Sequence, residues 1–348
     1  MKKIGSILLA VCLMAGLVCA GAVQAQAAGT DDVVAAINAY NLNHGGTGTL
    51  VATVTGANEV TITGEVRNAK RALNMLNFPG PAVIKWNATL VGHPHSSYVD
   101  LLFTYGSFIM EGGLIQTDEP GYSCISASVA VINDGLVQTD TGSIAIIGTI
   151  LVNVNGGTIN GNLVCGNIEI NGGTVKGAIR DHKINISGGV VYADAINARL
   201  PLYIGGNAKV YGDAMTFTAP IVFIETTATV DVPLSSYISI NKALNQEIVV
   251  GNLRLSNISY TPDSGVTLVI PEGASLELDR ASLTIPNGCT LIIDGTLSTS
   301  NPGRLVITPG ATVKGKNAGS YATHWWTFLH PFLQFLLRWF AFGWIWMR

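Results

Sequence analysis

The residues with the most chemical character lie in a short echo. Val191-Tyr192-Ala193-Asp194-Ala195 returns one turn later as Val210-Tyr211-Gly212-Asp213-Ala214. If both valines point inward on neighbouring strands, Tyr192 lies beside Tyr211 and Asp194 beside Asp213, all outward. Aromatic faces next to carboxylates make a candidate sugar-binding platform. The plainer reading is a cross-strand aromatic pair with two solvated turn aspartates. His93-Pro94-His95 offers at most half a metal site, since a site needs three or four ligands and no cysteine or carboxylate is close in sequence. Asp181-His182-Lys183 reads as a polar corner without a nucleophile. Arg67, Lys70 and Arg71 form a small solvated basic patch. No catalytic residue, metal site or cofactor is expected.

Three cysteines, Cys124, Cys165 and Cys289, remain once an N-terminal leader is set aside. They are odd in number and widely spaced, which suits neither a disulfide framework nor zinc. Their apolar neighbours predict buried small hydrophobes.

Composition narrows the function classes. Of 348 residues, 48% are hydrophobic and 12% charged, and 19 Lys+Arg against 22 Asp+Glu leave a net charge of −3. That balance excludes an electrostatic nucleic-acid binder and global disorder. Part of the apolarity belongs to the two ends. A basic start at Met1-Lys2-Lys3, an apolar run from Ile7 to Val18 and small-residue sites at Val23-Gln24-Ala25 and Ala25-Gln26-Ala27 read as a secretory signal, cut after Ala25 or Ala27. An uncleaved anchor is the alternative. Val11 and Val18 before Cys12 and Cys19 argue against a lipoprotein.

At the other end, the run from Trp325 to Met347 holds five of the six tryptophans and ten Leu, Ile or Phe residues. As a helix it would measure about 34 Å, enough to span a bilayer core. The apolar residues contribute roughly −3 to −6 kcal/mol to insertion, and a central Arg338 costs roughly +3. Thr327, His330, Gln334 and Arg338 form one polar stripe. The run is expected to be a membrane-spanning anchor, an interfacial helix or a sorting segment. A core-packed terminal helix is the remaining alternative.

Between the ends the elements are short. Residues 30–43 predict a helix capped by Thr30 or Asp31, with Val33, Val34, Ile37 and Tyr40 on one side. After it come glycine-punctuated strands. Gly156-Gly157, Gly172-Gly173 and Gly188-Gly189 recur at a constant step, and Gly205-Gly206 follows one position late. An apolar-x-apolar strand precedes each pair: Val152/Val154, Ile168/Ile170, Ile184/Ile186 and Leu202/Ile204. Looser copies appear at Gly112–Asp118 and Asp134–Asp140, and later corners carry Pro-Glu-Gly, Pro-Asn-Gly and Pro-Gly. A period this short holds two or three strands and their turns but no crossover helix. Stacked coils would set Ile168 over Ile184, Ile170 over Ile186 and Asn155 over Asn171. This predicts an all-β parallel β-helix of roughly a dozen rungs, rather than a β-sandwich, which lacks a fixed ladder register.

On the GGT-[IV] turns (Gly156-Gly157-Thr158-Ile159, Gly172-Gly173-Thr174-Val175) and the proline-glycine corners, the chain resembles secreted bacterial parallel β-helix proteins. These are the pectate-lyase-like superfamily and its adhesin-type members. The resemblance covers roughly Thr47 to Lys316 and implies a right-handed coil. It also raises polysaccharide cleavage. The superfamily's clustered acidic ligands with a basic residue, its Gly-His-Gly and its Arg-x-Lys are all missing here. Fold alone does not supply activity.

The expected organisation is therefore a signal peptide (1–27), a capping helix (28–46), a parallel β-helix (47–316), a linker (317–324) and a separate C-terminal hydrophobic helix (325–347). The expected function is a non-enzymatic, exported cell-envelope surface protein for adhesion or glycan contact. The membrane, through 325–347, is the expected partner, with a glycan or surface protein as a further one. The alternative is a β-helical polysaccharide lyase or hydrolase with degenerate motifs.

Overall fold

The computed structural model describes residues 26–75, 82–94, 100–117, 119–140, 142–212, 216–232, 234–300 and 302–319. The expected signal sequence up to Ala25, His95, Asp213 and the 325–347 run lie outside the described residues. The chain divides into two compact units. One runs to Ala219 and includes Thr227–Pro233; the other is Pro220–Thr226 with Leu234 onward. Each is a parallel β-solenoid that contains an antiparallel hairpin, formed by the first two strands of the first unit and following one parallel pairing in the second.

In the first unit the constant step between glycine pairs sets the coil. One long strand, Asn162–Ile170, serves two ladders, and the short strand Thr174–Lys176 serves the third. Ile168 pairs with Ile184 and Ile170 with Ile186 in parallel register, as the repeat predicts. These four side chains are buried, as are Ile159, Val175, Val191 and Val210 on the third ladder. Each such side chain withdrawn from water stabilises the coil by about 1.5–3 kcal/mol.

The glycine pairs have two separate physical causes. Gly157, Gly173 and Gly189 sit at φ of 68°, 71° and 73°, a left-handed corner that side chains resist. Gly156, Gly172 and Gly188 are not constrained in that way. A Cβ on each would lie 2.0–2.2 Å from the carbonyl oxygen of Asn133, Asn155 or Asn171 on the preceding rung. The fourth pair differs from the first three. Ile186 pairs with Ile204 and Val190 with Lys209, so that turn is one residue longer. Gly206 then takes the place of Gly188, with Ser187 O 2.1 Å from its would-be Cβ.

The same turns carry a side-chain ladder. Asn133 Nδ2 donates to Glu111 Oε1 (3.2 Å), Asn155 Nδ2 to Asn133 Oδ1 (2.9 Å) and Asn171 Nδ2 to Asn155 Oδ1 (3.2 Å). Ser187 Oγ closes the series on Asn171 Oδ1 at 2.6 Å. The predicted Asn155–Asn171 pair is one step of this chain.

Helix α1 (Gln26–Asn43) covers the start of the first unit. Its first residue, Gln26, precedes Thr30 and Asp31, so both lie inside it and not at its N-cap. Thr30 is buried, together with Val33, Ile37 and Tyr40. The Tyr40 hydroxyl donates to Arg71 O at 3.1 Å. Strands β1 (Thr47–Gly56) and β2 (Glu59–Ala69) form the hairpin beneath it. β2 then passes its other edge to Val83–Trp86 and Thr89–Gly92, where parallel stacking begins.

In the second unit Val222–Glu225 pairs parallel with Ser236–Asn241, and a hairpin follows. Ser236–Asn241 pairs antiparallel with Gln246–Ser256. The latter strand feeds two parallel ladders, through Thr267–Ile270 and through Ser275–Asp279. Its rungs are longer than the glycine-paired ones: Leu253 stacks on Leu276, Leu276 on Leu297 and Leu268 on Leu291. Among the described residues, no helix is long and apolar enough to cross a membrane.

Candidate functional site

The third ladder of the first unit brings Tyr192 and Tyr211 together. The two are register partners on parallel strands, and the buried Val191 and Val210 beside them point inward. Their rings stack with centroids 5.3 Å apart and planes at 21°. Tyr192 is 48% exposed. Asp194 is exposed just beyond Tyr192. Asp213, its expected neighbour, lies outside the described residues.

Stacking changes what the pair offers a ligand. Each tyrosine turns one ring face onto the other, so that face is not free for a sugar. The ring edges, the hydroxyls and one end face of each tyrosine remain. The register shows what flanks those end faces. Lys176 precedes Tyr192 in the same outward column, and Asp231 follows Tyr211. Both are exposed. Gln116, Gln138 and Asn160 extend the column in the other direction. The surface is thus a row of amides, a lysine, two stacked tyrosines and an aspartate, at about 4.8 Å per step. Lys176 and Asp231 were not singled out from the sequence. The signal was their spacing: Lys176 lies one regular period before Tyr192, and Asp231 lies one position further from Tyr211 than Tyr211 does from Tyr192.

Of the other sequence candidates, His95 lies outside the described residues and the rest lie among them. His93 bonds through its backbone N–H to Ala69 O at 2.9 Å. Among the described residues no group of three or more His, Cys, Asp or Glu side chains could hold a metal. Asp181, His182 and Lys183 lie within one strand, Ile179–Ile186, and the His182 N–H donates to Asp181 Oδ1. Burial raises the Asp181 carboxyl above its ordinary range. Arg67 pairs with Glu65 at the surface. Cys124, Cys165 and Cys289 are free and buried, as expected.

The second unit holds two clusters that the sequence reading missed. Arg254 Nη2 lies 2.8 Å from Asp279 Oδ2, its Nε 3.7 Å from Glu277 Oε2, and Arg280 Nε 3.6 Å from Asp279 Oδ1. The Asp279 side chain is 5% exposed, while the arginines are more than half exposed. Arg280 is left-handed at φ 50°, in the corner position that Asn257 fills at φ 55° one rung before. The other cluster is an inward carboxylate. Glu247 is buried at the start of the coil and accepts a bond from the Tyr260 hydroxyl. Burial raises the Glu247 pKa despite that bond, and the nearby charge of Asp263 adds to the rise. Arg254 and Asp279 are 25 positions apart and Glu247 and Tyr260 are 13 apart, and only the coil register makes them neighbours.

No protein-family model, no curated protein and no solved structure matches the chain.

Proposed function

We propose that the protein is an exported cell-envelope surface protein, held at a membrane by residues 325–347, whose β-helical unit presents a lateral face for glycan or surface contact. The observation that carries this reading is the outward column Lys176–Tyr192–Tyr211–Asp231, with stacked tyrosines flanked by a cation and an anion. Such a row has hydrogen-bonding ends, an aromatic centre and no enclosed reactive group, which suits contact more than turnover. The signal-like N-terminus and the tryptophan-rich tail support export and anchoring. The resemblance to secreted β-helix proteins supports a right-handed coil.

The test is a glycan array read with the full chain and with Tyr192→Ala and Tyr211→Ala. Specific binding that falls in both variants supports the reading. Binding that ignores both removes this column from the function. Cell fractionation with the intact mass of the membrane-bound form tests the anchor, and full-length protein free in the medium without detergent would refute it.

A hydrolytic or eliminative reading is favoured by one observation, the convergence of Arg254, Arg280, Glu277 and Asp279 in the second unit. New reducing or unsaturated ends from acidic or neutral glycans, lost in Asp279→Asn, would establish it in place of the contact role.

A further inference from the structure

The first unit leaves one sheet edge half protected. Among the described residues, β1 pairs with β2 and with no other strand. Its outer edge is partly occupied by side chains from α1 and the turn after it. Asn41 acts as a short false strand: Leu50 N–H donates to Asn41 Oδ1 at 2.8 Å, and Asn41 Nδ2 donates to Leu50 O at 2.7 Å. His44 Nδ1 accepts the Gly46 N–H at 2.9 Å, so Nε2 carries the ring proton and donates to Gly48 O at 3.2 Å.

Among the described residues, protection stops at Leu50. Because Leu50 turns both its backbone groups away from β2, the alternation along the strand turns those of Ala52 and Val54 the same way. The register with β2 is unbroken through Val54. Side chains there are open too: Val51 is 53% and Val54 48% exposed. The strand, TGTLVATVTG, has no charge and no proline, the usual means of blunting an edge.

We propose that this open half of β1 is a self-association surface, on which two copies of the chain pair antiparallel about a two-fold axis through Thr53. In that register Ala52 faces the partner's Val54 and Val54 the partner's Ala52. Each opposed pair exchanges two N–H···O bonds, so all four exposed backbone groups of each copy are satisfied. The contact is isologous and closes at two copies. A second copy fits better than a charged partner strand because the segment is uncharged and self-pairing brings no like charges together. Pairing also covers Val51 and Val54. Asn41 and His44 limit the contact, since they already fill the edge at Leu50 and Gly48 and so fix the register.

Thr53 is exposed and sits on the axis, which makes it the test position. Sedimentation velocity of the full chain in mild detergent should show a concentration-dependent dimer. Thr53→Lys and Thr53→Glu should each weaken it about tenfold or more, because each places like charges directly opposite. An equal mixture of the two variants should restore it. In the wild type the Ala52 and Val54 amides should exchange more slowly with deuterium as concentration rises. That measurement decides the matter even if a variant misfolds. A chain that stays monomeric, a dimer indifferent to both substitutions, or Ala52 and Val54 amides that exchange equally at all concentrations would each overturn the proposal.

Discussion

Gly173→Ala should be far more damaging than Gly121→Ala, although both residues have positive φ in the same unit. Gly173 is at 71° and Gly121 at 88°. An alanine in that region costs about 1–2 kcal/mol. About 0.4–1 kcal/mol returns through the stiffer unfolded chain. At Gly121 a Cβ meets nothing within 4 Å, so the net loss should be about 1 kcal/mol. At Gly173 the Cβ would lie 2.5 Å from Gly156 O and 2.7 Å from Gly156 C, both backbone atoms of the previous rung. The rungs must part there, against the bonds Thr174 N–H to Gly157 O and Val190 N–H to Gly173 O, each 2.9 Å. Leaving one or two such groups unsatisfied adds about 1–3 kcal/mol each. The total for Gly173→Ala is about 2–7 kcal/mol. Gly172→Ala isolates the clash from the φ term, since its Cβ would lie 2.1 Å from Asn155 O. Urea denaturation of the three variants, followed through the transition of the first unit, gives the comparison. Gly173→Ala and Gly121→Ala within about 1 kcal/mol of each other would refute the view that rung-to-rung carbonyl contact dictates the glycine pairs.

The Glu247 pKa is raised above its ordinary 4.5 by burial, so its contribution to the second unit is full below that pH and is lost as pH rises through the raised value. Glu247→Gln should therefore flatten the fall in stability above pH 4.5, which thermal denaturation across pH would register. Burial pushes the Cys124 thiol up to about 12 and also raises Cys165. Both should resist a thiol reagent at mildly alkaline pH in the folded protein and react only after denaturation. Asn171→Ala removes an acceptor from Ser187 and a donor to Asn155, and should cost about 1–2 kcal/mol by urea denaturation. On the proposal that residues 325–347 anchor the protein by spanning a membrane, Arg338→Leu should keep or strengthen membrane retention in fractionated cells, because a charge at the centre of a span would cost roughly 3 kcal/mol.

The sequence by itself determined the coil where its period is strict. Apolar residues at i and i+2 ahead of a glycine pair, repeated at a constant step from Val152 to Ile186, allow one register, because a slip of one would turn Ile168 and Ile170 outward. The Asn155–Asn171 step was legible for the same reason, whereas the Tyr192–Tyr211 pair was read from the echoed Val-Tyr-x-Asp-Ala motif and the three buried thiols from their apolar neighbours. What only the tertiary structure decided lies where the period fails. Longer rungs, such as those from Leu90 to Ile115 and from Leu253 to Leu276, absorb extra chain in their corners, so spacing no longer states which side chains meet. Arg254 and Asp279 are neighbours through such a rung. The antiparallel hairpin in each unit was also hidden, since an alternating strand reads alike whichever way its partner runs. The early start of α1 escaped because Thr30 and Asp31 look like caps until tertiary packing buries Thr30 within a longer helix. The half-filled edge of β1 depends on where α1 sets Asn41 against Leu50, a contact that no local pattern encodes.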